Sequence, residues 1–200
     1  MGEVVVLDAI YQQRALWVCL DADGAFRLAS ALPRVIFPGS FNPLHHGHTL
    51  LAERTAEWLG QPVAFELSIA NVDKPNLTED EVFRRLEQFR GRGPVFVTRA
   101  ARIEEKAALF PGCIFVVGAD TAARIVHPRY YGDDPAELAS ALDRIRSLGC
   151  RFLVGGRADD DGRFVEVTEL AIPEGYRDLF TGFTEQQFRV DVSSTDLRQD

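Results

Sequence analysis

The sequence predicts an α/β protein: a doubly wound, parallel sheet of about five to six strands with helices on both faces. Three observations predict it. Short apolar runs rich in β-branched and aromatic residues recur at 35–37, 63–67, 95–98, 114–117 and 152–154, as strands buried on both faces require. Stretches of helical periodicity separate them, and repeated strand–helix units imply parallel strands. A turn dense in glycine, proline and histidine, residues 37–48, joins the first of these strands to the first helix.

Taken in order, residues 1–32 precede the alternating pattern and read as an N-terminal appendage to a domain spanning 33–200. Within the appendage, residues 4–7 read as a short strand. The stretches 15–20 and 25–28 flank Asp21-Ala22-Asp23-Gly24 as a hairpin with a glycine-containing turn. Such a segment is suited to cover a sheet edge or an interface in a homo-oligomer. After strand 35–37 the pattern over 49–59 is helical. Thr78 and Glu81 have the spacing of a capping box, and Val82, Phe83, Leu86 and Phe89 then form an apolar stripe. Asp134 supplies an N-cap with Pro135 at the first helical position. Leu138, Leu142 and Ile145 form the stripe and Gly149 ends it. Asp159-Asp160-Asp161-Gly162 reads as the turn of a hairpin between 152–154 and 164–167.

Hydrophobic content of 46% and charged content of 26% fit a globular domain with a sizeable core. A net charge of −8 disfavours a nonspecific nucleic-acid or membrane-surface binder. The 3 cysteines, Cys19, Cys113 and Cys150, are scattered in apolar surroundings and read as buried thiols. No signal-peptide pattern and no run of membrane-spanning length stands out, so the expected compartment is the cytoplasm.

The chemistry concentrates in Gly39-Ser40-Phe41-Asn42-Pro43-Leu44-His45-His46-Gly47-His48. Of 4 histidines in the chain, His45, His46 and His48 lie here. The turn sits past the carboxyl end of a strand, where open α/β sheets bind ligands. The helix that follows offers unsatisfied N–H groups and a positive dipole end, both attractive to phosphate. Two competing readings are a metal site, since His45 and His48 lie one helical turn apart, and an ordinary turn. No cysteine or carboxylate lies close in sequence and no H-E-x-x-H pattern is present, so we assign no metal ligands.

This stretch resembles the G-x-F-x-P-x-H-x-G-H signature of the nucleotidylyltransferase superfamily. Its Gly-Ser-Phe-Asn-Pro form is most similar to the nicotinamide and nicotinate mononucleotide adenylyltransferases. Val192-Ser193-Ser194-Thr195-Asp196-Leu197-Arg198 resembles a second signature of the superfamily, I-S-S-T-x-I-R. The resemblance implies a Rossmann-like fold and a Mg²⁺-dependent enzyme that joins the adenylyl group of ATP to a pyridine mononucleotide and releases pyrophosphate. Phosphopantetheine adenylyltransferase and CTP-dependent cytidylyltransferase activities are the alternatives within the superfamily, and a non-catalytic nucleotide sensor is the alternative outside it.

The resemblance also implies roles. His45 and His48 would donate to the phosphates being separated. Gly39, Ser40 and Phe41 would let the backbone approach the nucleotide. Lys74, one of two lysines among 22 basic residues, would hold the reacting phosphate; its plain alternative is a solvated loop lysine. Gly118 and Asp120 would contact the nucleotide, with Asp120 or Thr121 otherwise a helix N-cap. Arg157, after Gly155 and Gly156, would lie beside the nucleotide or simply on a hairpin bend. Ser193, Ser194, Thr195 and Arg198 would hold the pyrophosphate, or form a capped terminal helix.

Overall fold

A computed structural model describes residues 3–28, 31–72, 75–158 and 164–188, the side chains of residues 3–6 and 157–158 excepted. Strands β1 (Trp17–Leu20), β2 (Phe26–Arg27), β3 (Val35–Pro38), β4 (Ala64–Ser68), β5 (Val95–Thr98), β6 (Ile114–Gly118), β7 (Arg151–Gly155) and β10 (Phe180–Gly182) form one eight-stranded sheet. Its order is β10-β7-β6-β3-β4-β5-β1-β2. The run from β10 to β5 is parallel throughout. From the β5 edge, and numbered in chain order, its strands read 3-2-1-4-5-6, the Rossmann-like doubly wound arrangement.

Side-chain alternation sorts the residues between two cores. On one face Val35, Phe37, Val95, Val97, Val116 and Leu153 pack with helices α1 (Glu3–Tyr11), α2 (His46–Leu59) and α3 (Glu79–Leu86). On the other face Ile36, Phe96, Phe115, Val117, Phe152 and Val154 pack with α4 (Ile103–Leu109), α5 (Ala119–Ile125) and α6 (Pro135–Ser147). Neighbouring residues of one strand thus feed opposite layers, as a strand period of two dictates.

The helix ends follow their sequence signals. Thr78 caps α3 by accepting from the Glu81 N–H, and Asp134 caps α6 by accepting from the Ala136 N–H. Gly149, at φ 71°, takes the left-handed conformation just past α6 that glycine adopts at least cost. The second half of the expected Thr78 capping box is replaced, because the Glu81 carboxylate accepts from Arg84 and Arg85 instead.

Four expectations are corrected. The strand count is larger, because the β1–β2 hairpin adds antiparallel strands beyond β5 and β10 adds one beside β7. Residues 4–7 lie in α1, not in a strand: Leu7 and Ile10, three apart and fully buried, face the core together, and the Tyr11 hydroxyl donates to the Leu77 carbonyl. A β-branched run favours a strand only weakly, and tertiary burial overrides it. The expected hairpin between 152–154 and 164–167 also differs. β7 is an inner strand between β6 and β10, and the antiparallel ribbon is β8 (Arg157–Ala158) with β9 (Phe164–Val165). The turn expected at Asp159-Asp160-Asp161-Gly162 lies outside the described residues. Finally, α5 is capped by Gly118, and Asp120 and Thr121 lie inside its first turn.

One charged cluster is buried within the α4–α6 layer. Glu66 of β4, 1% exposed, accepts from both Lys106 of α4 (2.8 and 2.7 Å) and the Thr98 hydroxyl (2.6 Å). Removing the cation strands a buried carboxylate, whereas removing both charges does not. Lys106→Met should therefore destabilise the protein by about 3–5 kcal/mol. Glu66→Leu combined with Lys106→Met should recover most of that loss in urea melts. A double variant no more stable than Lys106→Met alone would show that the pair contributes by its own attraction.

Candidate active site

The site begins where the sheet reverses its winding. β3 and β6 are parallel neighbours. β3 leads into α2 on one face of the sheet and β6 into α5 on the other. Their carboxyl ends therefore open into a crevice between diverging chains, the position where doubly wound sheets bind nucleotides.

The loop leaving β3 is shaped by one buried ring. Phe41, 1% exposed, packs against Phe37, Phe65, Phe89 and the His48 imidazole at centroid distances of 5.7, 5.6, 5.0 and 5.2 Å. Its φ of 44° is left-handed, a strain of about 1–3 kcal/mol for a bulky residue. A Cβ on Gly39 would lie 2.7 Å from that ring, so Gly39 is required by packing. The Gly39 N–H donates to the Glu66 carbonyl at 3.0 Å, extending the β3–β4 ladder. It is therefore spent on the sheet. The Asn42–Pro43 peptide bond is cis.

α3 and the turn after it grip the loop. The buried Arg85 guanidinium donates to the Ser40 carbonyl at 2.8 Å. Gln88 donates to the Phe41 carbonyl at 3.0 Å and accepts from the Leu44 N–H at 2.7 Å. Arg84 donates to the Asn42 side-chain oxygen at 2.7 Å. Arg84 and Arg85 share Glu81, and their hydrogen bonds hold its carboxyl down to about 2. Sequence reading missed these loop contacts. The signal was faint: a polar residue beside each apolar position of the α3 stripe, ordinary for a solvated helix face.

His45 stands at the N-cap of α2 in extended conformation, and His48 is the third residue of the helix. Their rings stack at 3.7 Å, and the His48 Nδ1 accepts from the His45 backbone N–H at 3.3 Å. Because Nδ1 accepts, the neutral His48 ring carries its proton on Nε2, which is left as a donor. His48 thus offers a neutral donor beside the partial positive charge of a helix start. On the outer flank a groove of about 570 Å³ runs along Leu44, His45, His46, Thr49, Glu53, Gln88 and Arg92.

The other expected residues are distributed as follows. Gly118 ends β6 beside β3, at ordinary φ, and the space above its Cα is open. Asp120 is exposed in the first turn of α5. Gly155 and Gly156 have packing reasons of their own: a Cβ would meet Leu51 at 2.8 Å and Phe164 at 2.3 Å respectively. Arg157 follows as backbone of β8, its side chain outside the described residues. Lys74, Ser193, Ser194, Thr195 and Arg198 lie outside the described residues. Among the described residues, no three His, Cys, Asp or Glu side chains group as a metal cage, and no helix is long and apolar enough to cross a membrane.

A family model described as Cytidylyltransferase-like matches residues 36–200. A solved structure of Plasmodium falciparum nicotinic acid mononucleotide adenylyltransferase complexed with NaAD resembles the chain with a TM-score of 0.47 and 13% identity, over 82% of this chain and 82% of that one. No curated protein sequence matches.

The histidine pair has a measurable signature. Burial first, and His45 second, push the His48 imidazole from 6.5 down to about 3. Burial and His46 lower His45 as well. A histidine with a lowered pKa stays neutral in the native state while the unfolded chain takes up the proton. Its stabilising contribution is therefore whole above 6.5 and is lost as pH falls toward about 3. The limiting slope is about 1.4 kcal/mol per pH unit for each such group. His48→Gln should accordingly flatten the fall in stability below pH 6.5 in urea melts taken across pH. Parallel curves for variant and wild type would show that His48 titrates as an exposed imidazole.

Proposed function

The chain belongs to the Cytidylyltransferase-like family, and from that premise we propose that it is an adenylyltransferase acting on MgATP and nicotinamide or nicotinate mononucleotide. An oxygen of the mononucleotide phosphate attacks the α-phosphorus of ATP. The bond from that phosphorus to the bridging oxygen breaks, and pyrophosphate leaves with the electron pair. No protein nucleophile is needed, so the protein contributes positioning and charge stabilisation.

The observation that carries the reading is the stacked pair of neutral histidines at the start of α2, past the carboxyl end of β3. A neutral Nε2–H donates to phosphate oxygens without taking up a proton at neutral pH. It therefore stabilises developing charge on the bridging oxygen over a wide pH range. The open space above Gly118 supports approach of the nucleotide from the β6 side. In this reading Asp120 and Arg157 contact the nucleotide, Lys74 holds the reacting phosphate, and Ser193, Ser194, Thr195 and Arg198 hold the pyrophosphate. Mg²⁺ enters as part of the nucleotide substrate, coordinated by phosphates and water, and neutralises their charge. The choice of ATP and a pyridine mononucleotide rests on the Gly-Ser-Phe-Asn-Pro form of the loop.

A pyrophosphate-release screen of ATP and CTP against pyridine mononucleotides, phosphopantetheine and small phosphate monoesters tests the assignment. Turnover is expected with MgATP and a pyridine mononucleotide. Turnover with CTP alone would move the protein to cytidylyl transfer, and none with any pair would favour a nucleotide sensor. In the active combination, His48→Ala should lower kcat by about 10²–10³-fold, the loss typical of one well-placed donor. A folded, fully active variant would make His48 a bystander.

A further inference from the structure

The grip of α3 on the loop determines which way the loop's peptide groups face. We infer that Arg85 and Gln88 are positioning residues that hold the peptide groups after Ser40 and Phe41 in the orientation that binds phosphate, an inference that rests on the phosphate-handling reading of this site. The geometry is specific. In a planar trans peptide the carbonyl of one residue and the N–H of the next point to opposite sides. Arg85 holds the Ser40 carbonyl at 2.8 Å, so the Phe41 N–H is turned away from α3. Gln88 holds the Phe41 carbonyl at 3.0 Å, which turns the following N–H away likewise. The same Gln88 side chain occupies the Leu44 N–H at 2.7 Å, so that donor is withdrawn from the site.

The arginine is itself aimed. Its Nε and Nη2 donate to Glu81 Oε1 at 2.8 and 2.7 Å, which leaves Nη1 for the Ser40 carbonyl. Two bonds from one planar guanidinium to one carboxylate fix its plane in a way a lysine cannot reproduce. The arrangement also explains how Phe41 is kept at a left-handed φ of 44°. The Ser40 carbonyl before it is tied to α3 and its own carbonyl to the turn after α3, and its ring is locked in the core.

The test uses the full-length chain and inorganic pyrophosphate as the probe, so that it does not depend on which acceptor is used. Arg85→Ala leaves Glu81 still paired with Arg84, and the fold is expected to survive. Pyrophosphate affinity, measured by calorimetry, should fall about tenfold or more, as for loss of a charge-assisted hydrogen bond. Low millimolar guanidinium ion should restore part of it by refilling the vacated site. A merely structural effect would show no recovery, because low millimolar guanidinium is far below denaturing concentrations and acts only by filling a site of its own shape. Gln88→Leu, which removes the second grip without creating a cavity for guanidinium, should show the same loss and no rescue. In both variants the amides of residues 40–48 should exchange hydrogen faster, with β4 and β5 unchanged. Unchanged affinity, unchanged loop exchange, or a loss that guanidinium leaves unrelieved in Arg85→Ala would each overturn the inference. So would a wild type that does not bind pyrophosphate. A wild type that binds pyrophosphate but turns over no acceptor would overturn the adenylyl-transfer reading and leave the positioning role standing.

Discussion

The site depends on the burial of the Phe41 ring. That ring closes the core beneath the loop, touching Phe37, Phe65 and Phe89. It forbids a side chain at Gly39 and forms one wall against His48. A loop that merely connected a strand to a helix would carry its aromatic residues outward or lack them. Here the apolar side chain anchors the backbone, and hydrophobic burial of an aromatic ring outweighs the modest cost of a left-handed φ.

The same ring bears on the electrostatics. His48 sits against Phe37 and Phe41, and desolvation there holds it neutral far below the ordinary histidine range. The protein is acidic, with a net charge of −8, yet the described part of the loop is held by arginines and leads into a neutral histidine pair. Arg84 and Arg85, which hydrogen-bond to the loop, are both tied to Glu81. Their contribution is directional: they hold loop oxygens in place. The buried Glu66–Lys106 pair lies on the opposite layer, while the Glu66 carbonyl receives the Gly39 N–H. One residue of β4 thus serves the core with its side chain and the loop with its backbone.

Topology supplies the remaining convergence. Because β4 and β5 lie to one side of β3 and β6, β7 and β10 to the other, segments distant in sequence leave the sheet around one crevice. The loop after β3 and the start of α5 after β6 meet there because their strands are parallel neighbours. The edge beyond β5 is extended by the hairpin of residues 17–27, which pairs antiparallel and leaves the parallel core intact.

The sequence by itself determined the inner strands, because each is a short apolar run whose hydrophobicity needs no partner to be recognised. It also determined the caps at Thr78 and Asp134, whose side chains satisfy N–H groups within a few residues, and the histidine motif, whose spacing is local. Tertiary structure alone decided the rest. β10 exists through parallel pairing with β7, about thirty residues away, and three residues carry no pattern of their own. Residues 4–7 became helical because Leu7 and Ile10 found a core to enter. Gly39, Gly155 and Gly156 look alike in sequence to glycines that admit a ligand. Only the packed structure shows that side chains fill the space above them, while above Gly118 it stays open. The grip of Arg85 and Gln88 on Ser40 and Phe41 joins residues more than forty positions apart. No local spacing announces such contacts, because hydrogen bonds between a helix side chain and a distant loop carbonyl are set by how the layers stack.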